Sequence, residues 1–320
     1  MIGGDTFAGW IPLFIRGARA EVEWCYMGRE RFTEPFCHET LQKLAQKPFN
    51  QMLRRKSGLD LLLERAHSHP GLPLKGMIFH MSRCGSTLAA QWLAALPDSV
   101  VLSEPEPLGT LLQSIPQGGN EAALCALLSA MGQARRDCDR SLYLKADCIH
   151  MLYIERLLTA FPGTPWIFLY RDPVEVLVSH QRKPIWMQMM ETMFACGHFP
   201  PEEFCRDPES SVAWILSVVL QQARQAMRQH GNGLLLNYAE LPHALDAMAR
   251  HFGIDANMLD AEASNAVTGR DAKQPNEVFQ PDSTNKRSCA DSSILDMAAR
   301  WLDEPYQLLE KMRLDDAALQ

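Results

Sequence analysis

From Lys75 onward, short apolar runs alternate with longer stretches of helical period, and this alternation narrows the possible folds more than anything else in the chain. Residues 77–80, 100–102, 142–144, 166–170 and 234–236 are too short for helices and predict strands. Residues 86–96, 121–135, 151–161 and 212–229 predict the helices between them. Strands joined through helices run parallel and are covered on both faces, so a three-layer α/β/α protein with a central parallel sheet is expected. Such sheets place ligands at the carboxyl ends of their strands. The residues that follow each run are therefore the first candidates for function.

The first part of the chain reads differently. Alternation at Ala20-Glu21-Val22-Glu23-Trp24 predicts a short strand, residues 39–45 and 58–66 predict helices, and His69-Pro70-Gly71-Leu72-Pro73 makes a break. The expected division is a small α+β appendage over 1–70 and a main α/β domain over 71–320, which suits a length of 320 residues. A net charge of −7 argues against a general nucleic-acid coat but leaves room for a local cationic pocket. The apolar stretch 7–15 follows Asp5 and has no small-residue cleavage pattern after it, so it is not read as a signal peptide. No run reaches the roughly 18 apolar residues of a membrane helix. Nine cysteines, odd in number and without a Cys-x-x-Cys pair, suit a reduced cytoplasm. Cys196, His198 and Cys205 lack a second close pair, and no metal is expected.

After the first run comes Met81-Ser82-Arg83-Cys84-Gly85-Ser86-Thr87-Leu88, and then a helical pattern. A strand, a Gly-containing turn and a helix start rich in hydroxyls describe an anion cradle. Backbone N–H groups and the positive helix end favour a phosphate, with Ser86, Thr87 and Arg83 as further donors. The spacing of the nucleotide triphosphatase loop fails, because His80 stands at its first Gly and no Lys follows Gly85. The other reading makes Ser86 an ordinary helix cap. After the fourth run, Pro173 suits the first turn of a helix, placing Arg171 at the strand end and Ser179 about two turns along. The pair either meets one ligand group or is a surface Arg171–Asp172 ion pair with a solvent-facing Ser179.

These residues resemble the sulfotransferase family, in which an Arg/Lys-Ser-Gly-Ser/Thr-Thr loop holds the 5′-phosphosulfate of 3′-phosphoadenosine 5′-phosphosulfate and an Arg-x7-Ser pair holds its 3′-phosphate. Arg83, Cys84, Gly85, Ser86 and Thr87 are similar to the first motif, with Cys84 in place of the usual Ser, and Arg171 and Ser179 match the second. The stretches Leu142-Tyr143-Leu144-Lys145-Ala146-Asp147 and Asn237-Tyr238-Ala239-Glu240-Leu241 resemble segments of the tyrosylprotein-type members, and residues 279–286, ending in Lys286, look like the loop that covers the cofactor. The resemblance spans about residues 75–290. It implies a P-loop-like fold, transfer of a sulfuryl group to a hydroxyl or amine, Glu104 as general base with Glu106 close behind, and Arg83 and Lys145 as cations for the leaving group. Asp147 and His150 are less central candidates, and the rival for Lys145 is a strand-end lysine held in water. No divalent metal is demanded, because the sulfuryl group carries less charge than a terminal phosphoryl.

Two other functions fit the same sequence: a nucleotide kinase-like enzyme needing Mg²⁺ and a triphosphate, and a nucleotide-binding protein without turnover. The acceptor, small molecule or peptide, is not named by any residue, nor is the oligomeric state. The methionine-rich stretch 186–194 is either an adaptable acceptor wall or core.

Overall fold

The computed structural model describes residues 6–16, 20–114, 121–182, 186–198, 208–241, 243–255, 258 and 283–317. Its centre is a five-stranded parallel sheet flanked by helices. The strands are β4 (Leu74–His80), β5 (Ser99–Ser103), β6 (Ser141–Lys145), β7 (Trp166–Tyr170) and β8 (Gly233–Asn237), in the order β5-β6-β4-β7-β8. All five runs expected to be strands are strands. Every residue of β5 and β7 is buried, so each reads as an unbroken apolar run rather than an alternation. The chain leaves β4 for β5 and β6 on one side and returns to β7 and β8 on the other. The loop after β4 thus stands where strand order switches.

The chain gathers into two compact units. The first comprises Met1–Gly76, Ala90–Lys145 and Arg156–Thr164. It contains β5, β6 and a three-stranded antiparallel sheet of β1 (Trp10–Arg16), β2 (Glu21–Tyr26) and β3 (Arg55–Ser57). β1 lies in the apolar stretch considered above as a leader. Pro12 obscures it, and the register indeed shifts between Pro12 and Phe14. Helices α1 (Cys37–Ala45), α2 (Pro48–Met52), α3 (Leu59–Ser68), α5 (Glu106–Ser114) and α6 (Glu121–Met131) also belong to this unit, with β1 packed on α5 and α3 on α6. α6 ends four residues before its expected limit. Beyond it the Arg135 guanidinium donates to the Met131 and Gln133 carbonyls, closing the helix end.

The second unit comprises Met77–Ala89, Ala146–Glu155 and Pro165–Gln320. It holds most of β4 together with β7, β8 and the helices α8 (Pro173–Arg182), α9 (Trp186–Ala195), α10 (Pro208–Gln229), α11 (His243–His251), α12 (Ser283–Ser288), α13 (Ser292–Met297) and α14 (Asp303–Ala317). Within it, Met189 and Met193 of the methionine-rich stretch are buried against Cys148, Ile149, Trp214, Ile215 and Val218. For those two the core reading holds. The expected helix 151–161 is split between a 3₁₀ turn, Cys148–Tyr153, and α7 (Ile154–Ala160), and α4 (Ser86–Ala95) follows the β4 loop.

Candidate functional site

The loop after β4 is held from beneath and shaped by left-handed residues. The Met81 N–H and the Cys84 thiol both donate to the Leu169 carbonyl, at 3.1 and 3.0 Å, and the Ser82 N–H donates to His80 Nδ1 at 3.0 Å. Ser82, Arg83 and Gly85 take positive φ values of 70°, 49° and 85°. Cys84, which is not among the positive-φ residues, precedes left-handed Gly85, and such an alternation turns successive N–H groups toward one side, the geometry that receives anions. Cys84 is fully buried, with its thiol on the Leu169 carbonyl. Arg83 is half-buried, and Ser86 and Thr87 are buried in the first turn of α4. That turn carries no acidic residue, so no carboxylate of its own opposes an anion at the positive end of the helix.

Gly85 is required twice over. Its φ of 85° disfavours any side chain, and an added Cβ would come within 2.8 Å of Tyr238 Cδ2 and 2.9 Å of Leu241 Cδ1. Gly163 has a similar φ of 77° but open space around it. Gly85→Ala is expected to cost about 2–4 kcal/mol in urea unfolding and Gly163→Ala only about 1, the difference being the clash with Tyr238. Equal costs would show that the ring yields freely.

Tyr238 ties this loop to the second candidate anion site. Its ring abuts Gly85 on one side, while the Arg171 guanidinium lies over it, 3.9 Å from the centroid. Arg171, at the end of β7, is 4 % exposed. Its Nε donates to Glu175 Oε2 at 2.6 Å, one turn into α8. The surface Arg171–Asp172 pair is therefore not what forms. Asp172 instead accepts from the Glu175 N–H at 3.2 Å and pairs with Arg287 of α12, which also reaches Glu175 at 3.5 Å. Ser179 is half-buried further along α8, and Arg171 is joined to Glu175 rather than to it. Lys286 is buried on α12, whereas residues 279–282 of the expected covering loop lie outside the described residues.

Behind Arg171 a polar network fixes the strand ends. The Tyr170 hydroxyl donates to Glu310 of α14, and Asn237 Nδ2 donates to Glu310 at 2.9 Å and to the Tyr306 hydroxyl at 3.0 Å. Arg313 donates twice to Glu310, at 2.9 and 3.1 Å, and pairs with Glu240. Burial pushes the Glu310 carboxyl up, but the hydrogen bonds from Arg313, Tyr170 and Asn237 outweigh it and hold the group below the usual carboxylate range. Burial first, and then the Glu310 hydrogen bond, drive the Tyr170 phenol upward, so it stays protonated and donating. None of Tyr238, Glu175 and Glu310 was a candidate from sequence. Their roles arise from contacts of Tyr238 with two distant segments, from a one-turn salt bridge, and from a separation of 140 residues between Tyr170 and Glu310.

In the first unit, register brings Glu104 and Lys145 together. Ser103 of β5 is the partner of Lys145 in β6, and the Glu104 N–H donates to the Lys145 carbonyl at 2.7 Å. Their side chains form an ion pair in which Lys145 is 1 % exposed and Glu104 22 %. A lysine held in water is excluded by that burial. Glu104 has φ 50°, a strained value for a non-glycine residue. Glu106 is exposed at the start of α5, in the ordinary place for an acid at a helix N-terminus. Asp147 and His150 are absorbed in a cap: Asp147 Oδ1 accepts from the Ile149 N–H at 3.1 Å, and the Asp147 N–H donates to His150 Nδ1 at 3.3 Å. Among the described residues no cluster of three or more His, Cys, Asp or Glu is placed to hold a metal, and no helix is long and apolar enough to cross a membrane.

No protein-family model and no curated protein matches the chain. Among solved structures, it is similar to the sulfotransferase domain of the Synechococcus PCC 7002 olefin synthase, at 16% identity and a TM-score of 0.42, covering 76% of this chain and 96% of that one. It is similar to sulfotransferase STF9 from Mycobacterium avium, at 14% identity and 0.44, covering 83% and 84%. Mouse sulfotransferase SULT7A1 complexed with PAP matches at 14% identity and 0.39, covering 78% and 93%.

Proposed function

We propose that the chain is a sulfotransferase that moves a sulfuryl group from 3′-phosphoadenosine 5′-phosphosulfate to a hydroxyl or amine acceptor. The observation that carries this reading is the Gly85–Tyr238–Arg171 arrangement. One aromatic ring is packed against the loop after β4 and stacked beneath a buried arginine, so the two candidate anion sites share a side chain. A donor with phosphate groups at both ends of its ribose has the chemistry to use both. Two motifs in the expected order, each following a strand, support the same reading.

The donor set fits that ligand. Arg83, Ser86, Thr87 and the backbone of Cys84 and Gly85 are cationic or neutral donors for the 5′ end, Arg171 and Ser179 are the donors assigned to the 3′-phosphate, and Lys286 belongs to the segment that would cover the cofactor. When bound, the donor supplies an activated sulfuryl group. Glu104 takes the proton from the acceptor, and Lys145, held against it, provides positive charge for the leaving oxygen. Arg83 adds a second cation from the loop.

The test is calorimetric titration with 3′-phosphoadenosine 5′-phosphate, AMP, and ATP with Mg²⁺. The bisphosphate is expected to bind at least tenfold more tightly than either of the others. Preference for ATP with Mg²⁺, or no binding at all, would remove the reading.

A further inference from the structure

Lys145 is a costly residue to bury, since an ammonium loses its hydration and retains three donors to satisfy. Of the pair it forms with Glu104, the acid reaches solvent and the lysine does not. On another side of the ammonium lies the ring of Phe36, with Nζ 5.0 Å from its centroid, inside the range where a cation is attracted to an aromatic face. Phe36 comes from the N-terminal part of the chain, for which no role was legible in the sequence.

Its position in that segment is locally unfavourable. Phe36 is the N-cap residue of α1, with φ −132° and ψ 144°, where Ser, Thr, Asp or Asn would accept a hydrogen bond from the first turn and an aromatic ring cannot. The helix start is secured instead by the Phe36 N–H, which donates to Glu39 Oε2 at 3.4 Å. The ring also stacks on His38, with centroids 5.6 Å apart. A tertiary reason for the aromatic group is thus present where the local preference opposes it.

The segment is also pinned beside the acid. β5 is an edge strand, and the N-terminal segment reaches its backbone. Arg31 Nη2 donates to the Ser99 carbonyl at 3.3 Å, and the fully buried Cys37 thiol lies against the backbone of Ser103. Cys37 immediately follows Phe36, and Ser103 immediately precedes Glu104. Burial pushes the Cys37 thiol up to about 12, so it adds no charge next to the pair.

We infer that Phe36 is a positioning residue for the Glu104–Lys145 pair: its ring seals the buried ammonium and holds it against the carboxylate. The catalytic meaning rests on the sulfotransferase reading; the contact itself does not. Two measurements separate them. In thermal unfolding, F36L is expected to lower the Tm by about 3 °C in the wild-type background and by less than half of that in the K145M background. Equal losses in the two backgrounds overturn the inference, whatever the activity. In transfer assays with 4-nitrophenol and a panel of simple alcohols and amines, F36L and F36M are expected to lower kcat about tenfold. Acceptor KM and affinity for 3′-phosphoadenosine 5′-phosphate should stay within about twofold, and F36Y and F36W should restore the rate. Wild-type kcat in F36L, or failure of both aromatic variants to restore it, overturns the positioning role. Absence of transfer by the wild-type protein to every acceptor counts against the sulfotransferase reading, and the unfolding cycle then decides whether Phe36 holds Lys145.

Discussion

Replacing Glu104 by Gln is expected to lower turnover by about 10²–10⁴-fold while leaving affinity for 3′-phosphoadenosine 5′-phosphate within about twofold. Gln keeps the length and an oxygen able to accept from Lys145, but it cannot take a proton from an acceptor. The strained backbone at Glu104 is retained, so the substitution does not disturb the loop by changing its shape. It does take the Glu104 charge away from the buried Lys145, and a lower unfolding midpoint is expected alongside the loss of rate. The control is Glu106→Gln. Its exposed carboxylate at the start of α5 supports the helix dipole, so a change below about 1 kcal/mol in stability and no more than about twofold in kcat is expected. Single-turnover measurements at saturating donor separate chemistry from binding. If Glu104→Gln turned over normally and Glu106→Gln did not, the roles given to these two acids would be reversed.

What was legible in the sequence is what local composition determines. A parallel strand covered on both faces must be apolar along its whole length, so β4 to β8 announced themselves in runs of three to five residues. The anion loop was legible for a similar reason: the turn needs Gly85, and the helix behind it starts with Ser86 and Thr87. β1 was not, because Pro12 breaks the pattern expected of a strand and only pairing with β2 across a register shift accommodates it. The partner of Arg171 was within reach of spacing arguments, since a strand-end residue and one four positions later meet once a helix begins between them. The adjacent Asp172 drew attention instead. Tyr238 and the Glu104–Lys145 pair depend on which strands become neighbours and in what register, and no window of sequence carries that information. Lys145 shows how far this matters. In sequence it is a charged residue at the end of a run, and in the folded chain it is among the most deeply buried side chains.

Arg171 and Glu175 are expected to move donor affinity in opposite directions. Arg171→Ala should weaken binding of 3′-phosphoadenosine 5′-phosphate by about 100-fold and erase its advantage over AMP, since a charge-assisted contact of about 1.5–3 kcal/mol disappears only for the ligand with a 3′-phosphate. Glu175→Gln should tighten the bisphosphate by about tenfold, because Arg171 Nε is committed to that carboxylate and an incoming phosphate must compete with it. A purely structural ion pair would behave otherwise, with both substitutions weakening binding through the same loss of order. Stability must be followed in parallel. Arg171→Ala leaves Glu175, 7 % exposed, with the more distant Arg287, and breaking a buried pair from one side costs about 3–5 kcal/mol. The double variant Arg171→Met with Glu175→Gln removes both charges, so it should recover much of that stability without recovering affinity for the bisphosphate. Arg171→Lys keeps the charge but loses the planar fork, and about a tenfold loss of affinity is expected, between wild type and the alanine variant. Calorimetry on these four proteins, with AMP as the reference ligand, decides the matter. Weaker binding in Glu175→Gln would mean that the carboxylate orients Arg171 for the phosphate rather than competing with it.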